Sequence, residues 1–309
     1  MSADPALSVD HLAKTFDGLR AVDDLCLSVR RGEIYGFLGP NGAGKTTTIK
    51  IILGLMFQDA GAVRIGGRDL AKDPHEIKRR IGFLPEHIAF YNNLTALETL
   101  QFYAELKGAV DEPLLDHLEA VGLRPFADEK VGTFSKGMVQ LLGIAQTLIG
   151  DPELLILDEP TTGLDPNWAR TVKDRIQAAN ERGATVFFSS HILGQVQELA
   201  DRVGIVDRGK LIAEDTVENL GRRLDLKPRL RLTVEESLGA ATRAVSNVEG
   251  VVSVESSGAE LVVLCDRAAK ARVLGRLEAM GISVRDFRTE EPGLEEVFIK
   301  LTGARRSVR

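Results

Sequence analysis

The stretch GPNGAGKT, Gly39 to Thr46, constrains this chain more than any other. It matches G-x-x-x-x-G-K-[ST], and its surroundings are the ones that pattern requires. GEIYGFL before it is a short apolar run, read as a buried strand. GKTTTIKIILGLM after it reads as a helix that stops near Gly54. Glycines let the backbone wrap closely around phosphates, and the amide groups of the loop and of the helix N-terminus donate to them. Lys45 is placed to reach the β- and γ-phosphates, and the Thr46 hydroxyl to ligate Mg2+.

A second run supplies the acids such a loop needs. LLILDEP is a continuous apolar strand that delivers Asp158 and Glu159 at its C-terminal end, where ligands bind in open α/β sheets. Asp158 suits Mg2+, and Glu159 suits a water that attacks the γ-phosphate. His191 ends another apolar strand, ATVFFSSH, and a parallel sheet brings that position to the same edge. The segment TFSKGMVQLLGIAQTLIG has an apolar helix in its second half. Its start, Ser135, Lys136 and Gly137, has no evident folding need for all three residues.

The organisation follows from the periodicity. ALSVDHLAKTF and LRAVDDLCLSV alternate around Asp17 and Gly18 and read as two antiparallel strands. Residues from about 95 to 150 are helical by spacing, and strand–helix alternation resumes after them. Fully apolar strands alternating with helices mean a parallel sheet covered on both faces. We expect a first domain over residues 1–220, a linker at 221–228, and a small α+β domain at 229–309 with the order β-α-β-β-α-β and a terminal helix.

These motifs resemble the ATP-binding cassettes of the ABC family over roughly residues 6 to 220. GPNGAGKTT looks like the Walker A motif, LLILDEP the Walker B, GLDP with Asp165 the D-loop, and His191 the switch histidine. FSKGM falls where the family has its signature. The resemblance implies an α/β P-loop NTPase fold with an antiparallel β subdomain and a helical subdomain, followed by a ferredoxin-like C-terminal domain. It implies ATP and Mg2+ as ligands. Asn41, Gly42, Ala43, Gly44, Lys45, Thr46 and Thr47 would hold the phosphates, Phe16 would stack on adenine, and Val22 would pack beside the ribose. Thr46, Glu86 and Asp158 would hold the metal, with Glu159 and His191 catalytic.

In the family, the signature serine and glycine, here Ser135 and Gly137, bind the γ-phosphate of ATP held by the other subunit of a head-to-tail homodimer. Lys136 and Met138 depart from the usual signature L-S-G-G-Q, and Glu86 stands where glutamine is usual. The resemblance further implies separately encoded integral-membrane permease subunits and a peripheral place at the cytoplasmic face of the inner membrane. The C-terminal unit resembles the appended domain of drug and antibiotic-resistance exporters. FLPEHIAFYNNLTALETLQFYAELKG is most similar to the ATPase of the complex that helps mature copper nitrous-oxide reductase.

Composition narrows the alternatives. A formal net charge of −6 gives no support for nucleic-acid binding, so no nucleic-acid partner is expected. No run approaches a membrane span, and the acidic opening MSADPALSVD predicts no signal peptide. Cys26 and Cys265 lie far apart without metal-site spacing, which predicts core packing in a reducing compartment. A translation cassette normally carries two cassettes in one chain, and a DNA-repair cassette interrupts its motifs with a long coiled coil. A regulatory, non-transport ATPase stays open as the alternative to a transporter subunit, although Glu159 argues against a non-catalytic one.

Overall fold

In chain order the first elements are β1 (Leu7–Phe16), β2 (Leu19–Val29), β3 (Ile34–Leu38), α1 (Lys45–Ile52), β4 (Ala60–Ile65), β5 (Arg68–Asp69), α2 (Pro74–Arg79) and β6 (Ile81–Leu84). Then come α3 (Ala96–Lys107), α4 (Leu114–Ala120), α5 (Lys136–Thr147), β7 (Leu154–Asp158), α6 (Pro166–Glu181), β8 (Thr185–Ser190), α7 (Leu193–Leu199), β9 (Arg202–Asp207) and β10 (Lys210–Asp215). This computed structural model describes residues 4–235, 238–257 and 260–306. The chain divides into two compact units, Met1–Asp215 and Thr216–Arg309.

The first unit holds two sheets. One is antiparallel, in the order β2-β1-β4-β5. The other has the order β10-β9-β3-β8-β7-β6, with β10 antiparallel at the edge and the remaining neighbours parallel. Every residue of β3, β7 and β8 is buried, which is why these runs lack a polar alternation. A shared core joins the two sheets around α1, with Leu7, Leu25, Phe37, Ile49, Ile52, Ile156 and Phe187 in contact. Between β6 and β7 the chain is helical. There α3 opens with a capping box in which Thr95 and Glu98 satisfy each other's backbone amides, and it closes on Gly108 in the left-handed region.

Register places the chemistry. β3 lies between β8 and β9, so the chain leaves it at a point where the strand order reverses. Leu38 pairs with Ser190, and Asp158 pairs with Ser189. The loop after β3, the acid after β7 and the histidine after β8 therefore emerge along one sheet edge.

A partly buried ion cluster ties the start of β3 to the β9–β10 pair. The Arg202 guanidinium lies 3.1 Å from Glu33 Oε1 and 3.1 Å from Glu214 Oε1. It also sits over the Tyr35 ring, 5.7 Å from its centroid, and the Tyr35 hydroxyl donates to Glu214 at 2.8 Å. Replacing Arg202 by methionine keeps the apolar stem but leaves two carboxylates facing each other without a cation. A stability loss of about 3 kcal/mol is expected by urea denaturation, because removing one side of a buried pair strands the other. A loss well below about 1 kcal/mol would assign the cluster the minor weight of a surface pair.

The second unit begins with α8 (Val217–Arg223), followed by β11 (Arg229–Val234), α9 (Leu238–Val245), β12 (Val251–Ser257), β13 (Glu260–Cys265), α10 (Ala269–Ala279), β14 (Val284–Glu290) and α11 (Leu294–Arg306). The strand order β12-β13-β11-β14, antiparallel throughout, is the ferredoxin-like arrangement. Leu230, Leu232, Val263, Cys265, Val273 and Leu277 form its core. Gly221 to Arg223, expected in a linker, instead complete α8. The Thr216 hydroxyl caps this helix by accepting from the Asn219 amide, so the division falls before Thr216 rather than after residue 220.

The two cysteines differ. Cys265 is fully buried, and burial pushes its thiol up, in keeping with core packing. Cys26 is exposed and corrects the expectation for it. It stands on β2 between Leu25 and Leu27, both of which face the core, so strand alternation turns it outward.

Candidate nucleotide site

The loop after β3 owes its shape to glycine at two close approaches. Gly44 has φ 101°, and a Cβ there would lie 2.3 Å from the Ala21 carbonyl oxygen. A Cβ on Gly39 would lie 2.4 Å from the Val206 carbonyl oxygen. The loop therefore rests directly on neighbouring backbone and turns its amide groups the other way. Gly44 caps α1 without a side-chain acceptor, which leaves the amides of the first helical turn available to an anion.

Phe16, Asn41, Gly42, Gly44, Lys45, Thr46, Thr47, Glu86 and Glu159 line one groove of about 360 Å³. Phe16 is 40% exposed at its rim, with the Lys14 ammonium 5.5 Å above its ring. Lys45 is only 7% exposed. Its ammonium donates to the Gly39 carbonyl at 2.7 Å and lies 3.4 Å from Glu159 Oε1. Asp158 and His191 are not among its lining residues and stand behind Glu159, and two of the residues expected to hold ATP also do not face it. Val22 is fully buried in the core, and the neighbouring Ala21 lines the groove instead. The pairing of β1 with β2 is irregular between Leu12 and Thr15, and the alternation shifts there. The Ala43 side chain is also core, and this residue offers its backbone alone.

Behind the groove, Ser189 organises the acids. Its hydroxyl donates to Asp158 Oδ1 at 2.5 Å and accepts from the Glu159 amide at 3.0 Å. Burial pushes the Asp158 carboxyl up, while hydrogen bonds from Ser189 and Thr46 act in the opposite direction. Glu159 has φ 51°, a conformation uncommon for a side chain of its size. Its Oε2 accepts from the Thr162 hydroxyl at 3.0 Å and meets His191 Nδ1 at 2.9 Å. Lys45, Glu159 and His191 are thus joined in one chain of contacts. Sequence reasoning missed Ser189 and Thr162. Ser189 is the first serine of FFSSH, and its role comes from the pairing of β8 with the acid-bearing strand β7, which one sequence does not show.

The donor set fits a hard divalent cation. Thr46, Asp158 and Glu86 offer oxygen only, and Asp158 is a buried carboxylate beside two further acids, Glu86 and Glu159.

Ser135, Lys136 and Gly137 are not among the groove's lining residues. Ser135 is the N-cap of α5 and accepts from the Met138 amide at 3.3 Å, so it does have a folding role. The start of α5 packs on the start of α6. A Cβ on Gly137 would lie 3.1 Å from the Trp168 ring, and one on Gly163 would lie 2.7 Å from the Lys136 ammonium. Asp165 caps α6 through the Asn167 and Trp168 amides. Gln140 of α5 donates to the Pro160 carbonyl at 3.0 Å, one residue beyond Glu159. The signature segment is therefore fastened to the acid-bearing loop of its own chain while lying outside that chain's groove.

Comparison with known proteins agrees with this geometry. The model of a family described as ABC transporter matches residues 22–162, and one described as the C-terminal domain of DrrA1-3-like ATP-binding proteins matches residues 222–302. The bacitracin transport ATP-binding protein BcrA of Bacillus licheniformis is 40% identical, with 96% of this chain and 97% of that protein covered. The linearmycin resistance ATP-binding protein LnrL of Bacillus subtilis (strain 168) is 36% identical, with 96% and 98% covered. Among solved structures, the dimeric post-hydrolysis state of the ATP-binding cassette MJ0796 bound to ADP and Pi superposes with a TM-score of 0.62 at 25% identity, over 68% of this chain and 98% of that one.

Proposed function

Because the chain belongs to the ABC transporter family as an ATP-binding subunit of the DrrA and BcrA type, and so is an ATP-hydrolysing subunit that powers a membrane transporter, we propose how its residues divide that work. The observation that carries the proposal is the convergence of Lys45, Thr46, Asp158, Glu159 and His191 at one sheet edge. The loop amides and Lys45 take the phosphates, which draws the Lys45 ammonium away from Glu159. Released from that ion pair, Glu159 accepts a proton from the attacking water. His191 and Thr162 hold its carboxylate in place. Phe16 stacks on the adenine. Mg2+, held by Thr46, Asp158 and Glu86, supplies charge neutralisation at the phosphates when bound.

The signature segment completes the site of a second copy. The amide groups of the first turn of α5, with Ser135 and Gly137, face the γ-phosphate of the partner cassette, and Lys136 adds a positive charge there. Two copies would then close head-to-tail around two nucleotides. No helix among the described residues is long and apolar enough to cross a membrane, so the translocation path is assigned to separate permease subunits. We place the chain against them at the cytoplasmic face of the inner membrane.

The segment that leaves the groove at Glu86 is the proposed contact with the permease. Ile88 turns inward, where a Cβ on Gly143 would lie 2.4 Å from its Cδ1. Tyr91 is 63% exposed and stands edge-on to Phe102, which in turn packs on Tyr103. The relatives' names favour export of a small antibiotic-like compound, and they lend no support to a copper-enzyme maturation role. Purified chain is expected to hydrolyse ATP in the presence of Mg2+, and Lys45→Ala to reduce that rate at least about a hundredfold. Undiminished hydrolysis by Lys45→Ala would remove the groove from the reaction.

A further inference from the structure

Two irregularities in the β1–β2 pair bring three metal-ligating side chains together away from the nucleotide groove. Val9 pairs with Leu27 and Leu12 with Leu25, so Asp10 and His11 together stand opposite Cys26. Leu12 pairs with Leu25 and Lys14 with Val22, so Ala13 stands opposite Asp23 and Asp24. Each bulge has a left-handed residue, His11 at φ 48° and Asp24 at φ 54°. The result keeps Val9, Leu12, Leu25 and Leu27 in the core while turning His11, Asp24 and Cys26 outward.

The ligand atoms are already gathered. His11 Nδ1 lies 2.7 Å from Asp24 Oδ1, and the His11 amide donates to Cys26 Sγ at 3.2 Å. One ligand atom from each side chain can be chosen so that all lie within 4.8 Å of one another. Around a tetrahedral cation with Zn–N near 2.0 Å, Zn–O near 2.1 Å and Zn–S near 2.3 Å, ligand atoms sit about 3.3 to 3.6 Å apart. Reaching that spacing needs the His11–Asp24 contact to open by about 0.6 Å and the Cys26 sulfur to close on its partners by at most about 1.3 Å, movements on the scale of side-chain rotation. Asp10 stands beside the cluster, with its own carboxylate held by Arg64 at 2.7 Å. None of His11, Asp24 and Cys26 lines the nucleotide groove.

We propose that His11, Asp24 and Cys26 form a site for a borderline divalent cation of the Zn2+ class, with water in the fourth position. Imidazole, carboxylate and thiolate together select such an ion over Mg2+ or Ca2+, which take oxygen donors. Binding converts the Cys26 thiol to thiolate and releases its proton to solvent. The bound ion joins the two bulged strands across their exposed face. Because those strands carry Phe16 and Ala21 to the groove, the ion would steady the nucleotide-facing end of the β1–β2 hairpin.

The test uses the reduced full-length chain titrated with Co2+ and, separately, with Zn2+ from a metal buffer. Wild type is expected to take up one Zn2+ with proton release and to show a thiolate-to-cobalt charge-transfer band. Cys26→Ser should abolish the band, whereas Cys265→Ser should keep it. His11→Gln should weaken Zn2+ binding at least about tenfold, the loss typical of a removed ligand or its support. Retained ATP hydrolysis shows that the Cys26→Ser and His11→Gln variants are folded, since both residues are exposed and outside the groove. Absence of the band in wild type, its persistence in Cys26→Ser, or unchanged Zn2+ affinity in His11→Gln would leave an ordinary exposed ion pair beside a free thiol.

Discussion

Glu159→Gln is expected to lower steady-state ATP hydrolysis by about 100- to 10,000-fold while leaving ATP binding intact, the range over which a positioned general base contributes. Glutamine has the same shape and can still meet Thr162 and His191, so the groove keeps its form. It loses the charge that pairs with Lys45 at 3.4 Å and the basicity needed to take a proton from water. Because the carboxylate no longer holds Lys45, nucleotide affinity is expected to stay the same or rise. Binding is read by nucleotide fluorescence and turnover by phosphate release. A turnover within about threefold of wild type would exclude Glu159 as the base and shift attention to His191, which meets Glu159 at 2.9 Å.

The parts of the site that were legible from sequence share one property: their local chemistry is unusual. A loop that needs left-handed backbone at Gly42 and Gly44 must be glycine-rich, and a strand buried on both faces must be an apolar run that ends in its functional acids. Such constraints leave a mark at fixed spacing. Val22 was placed beside the ribose by the family resemblance alone, and in this chain the bulged β1–β2 pair holds Val22 in the core and leaves Ala21 at the groove. Cys26 was misread as core from its residue type, although the alternation of Leu25, Leu27 and Val29 already puts it on the opposite face of β2.

Ser189 was silent because its role is set by which strand lies next to β7, a fact of strand order rather than of local pattern. Ser135 shows one residue serving two ends. Its hydroxyl caps α5 in the single chain, and the same helix start is the proposed phosphate contact in the pair. The fastening of α5 to Pro160 through Gln140, with the Lys136 ammonium close beside Gly163, offers the proposed contact a path back to Glu159 of its own chain. This path could not be read from spacing, since it joins segments on either side of β7.

If the signature segment acts on a neighbour's nucleotide, damage there must be rescued in trans. Ser135→Arg places a bulky side chain where the γ-phosphate docks, and Lys45→Ala removes the cation from the phosphate loop. Homodimers of either variant have no intact composite site. In the mixed dimer both lesions fall in one site and the other site is whole. Each variant alone is expected to hydrolyse ATP at least about a hundredfold more slowly than wild type. The exposed start of α5 tolerates arginine, and circular dichroism should show both chains folded. The decisive measurement is ATP hydrolysis by an equimolar mixture of the two, assembled with the permease, against each variant alone at the same total concentration. We predict a rate clearly above either parent, approaching the quarter of wild type that random pairing with one working site in half of the dimers allows. A mixture no faster than the mean of its two parents, with mixed dimers shown to form, would contradict the composite site and return Ser135 to the role of a helix cap alone.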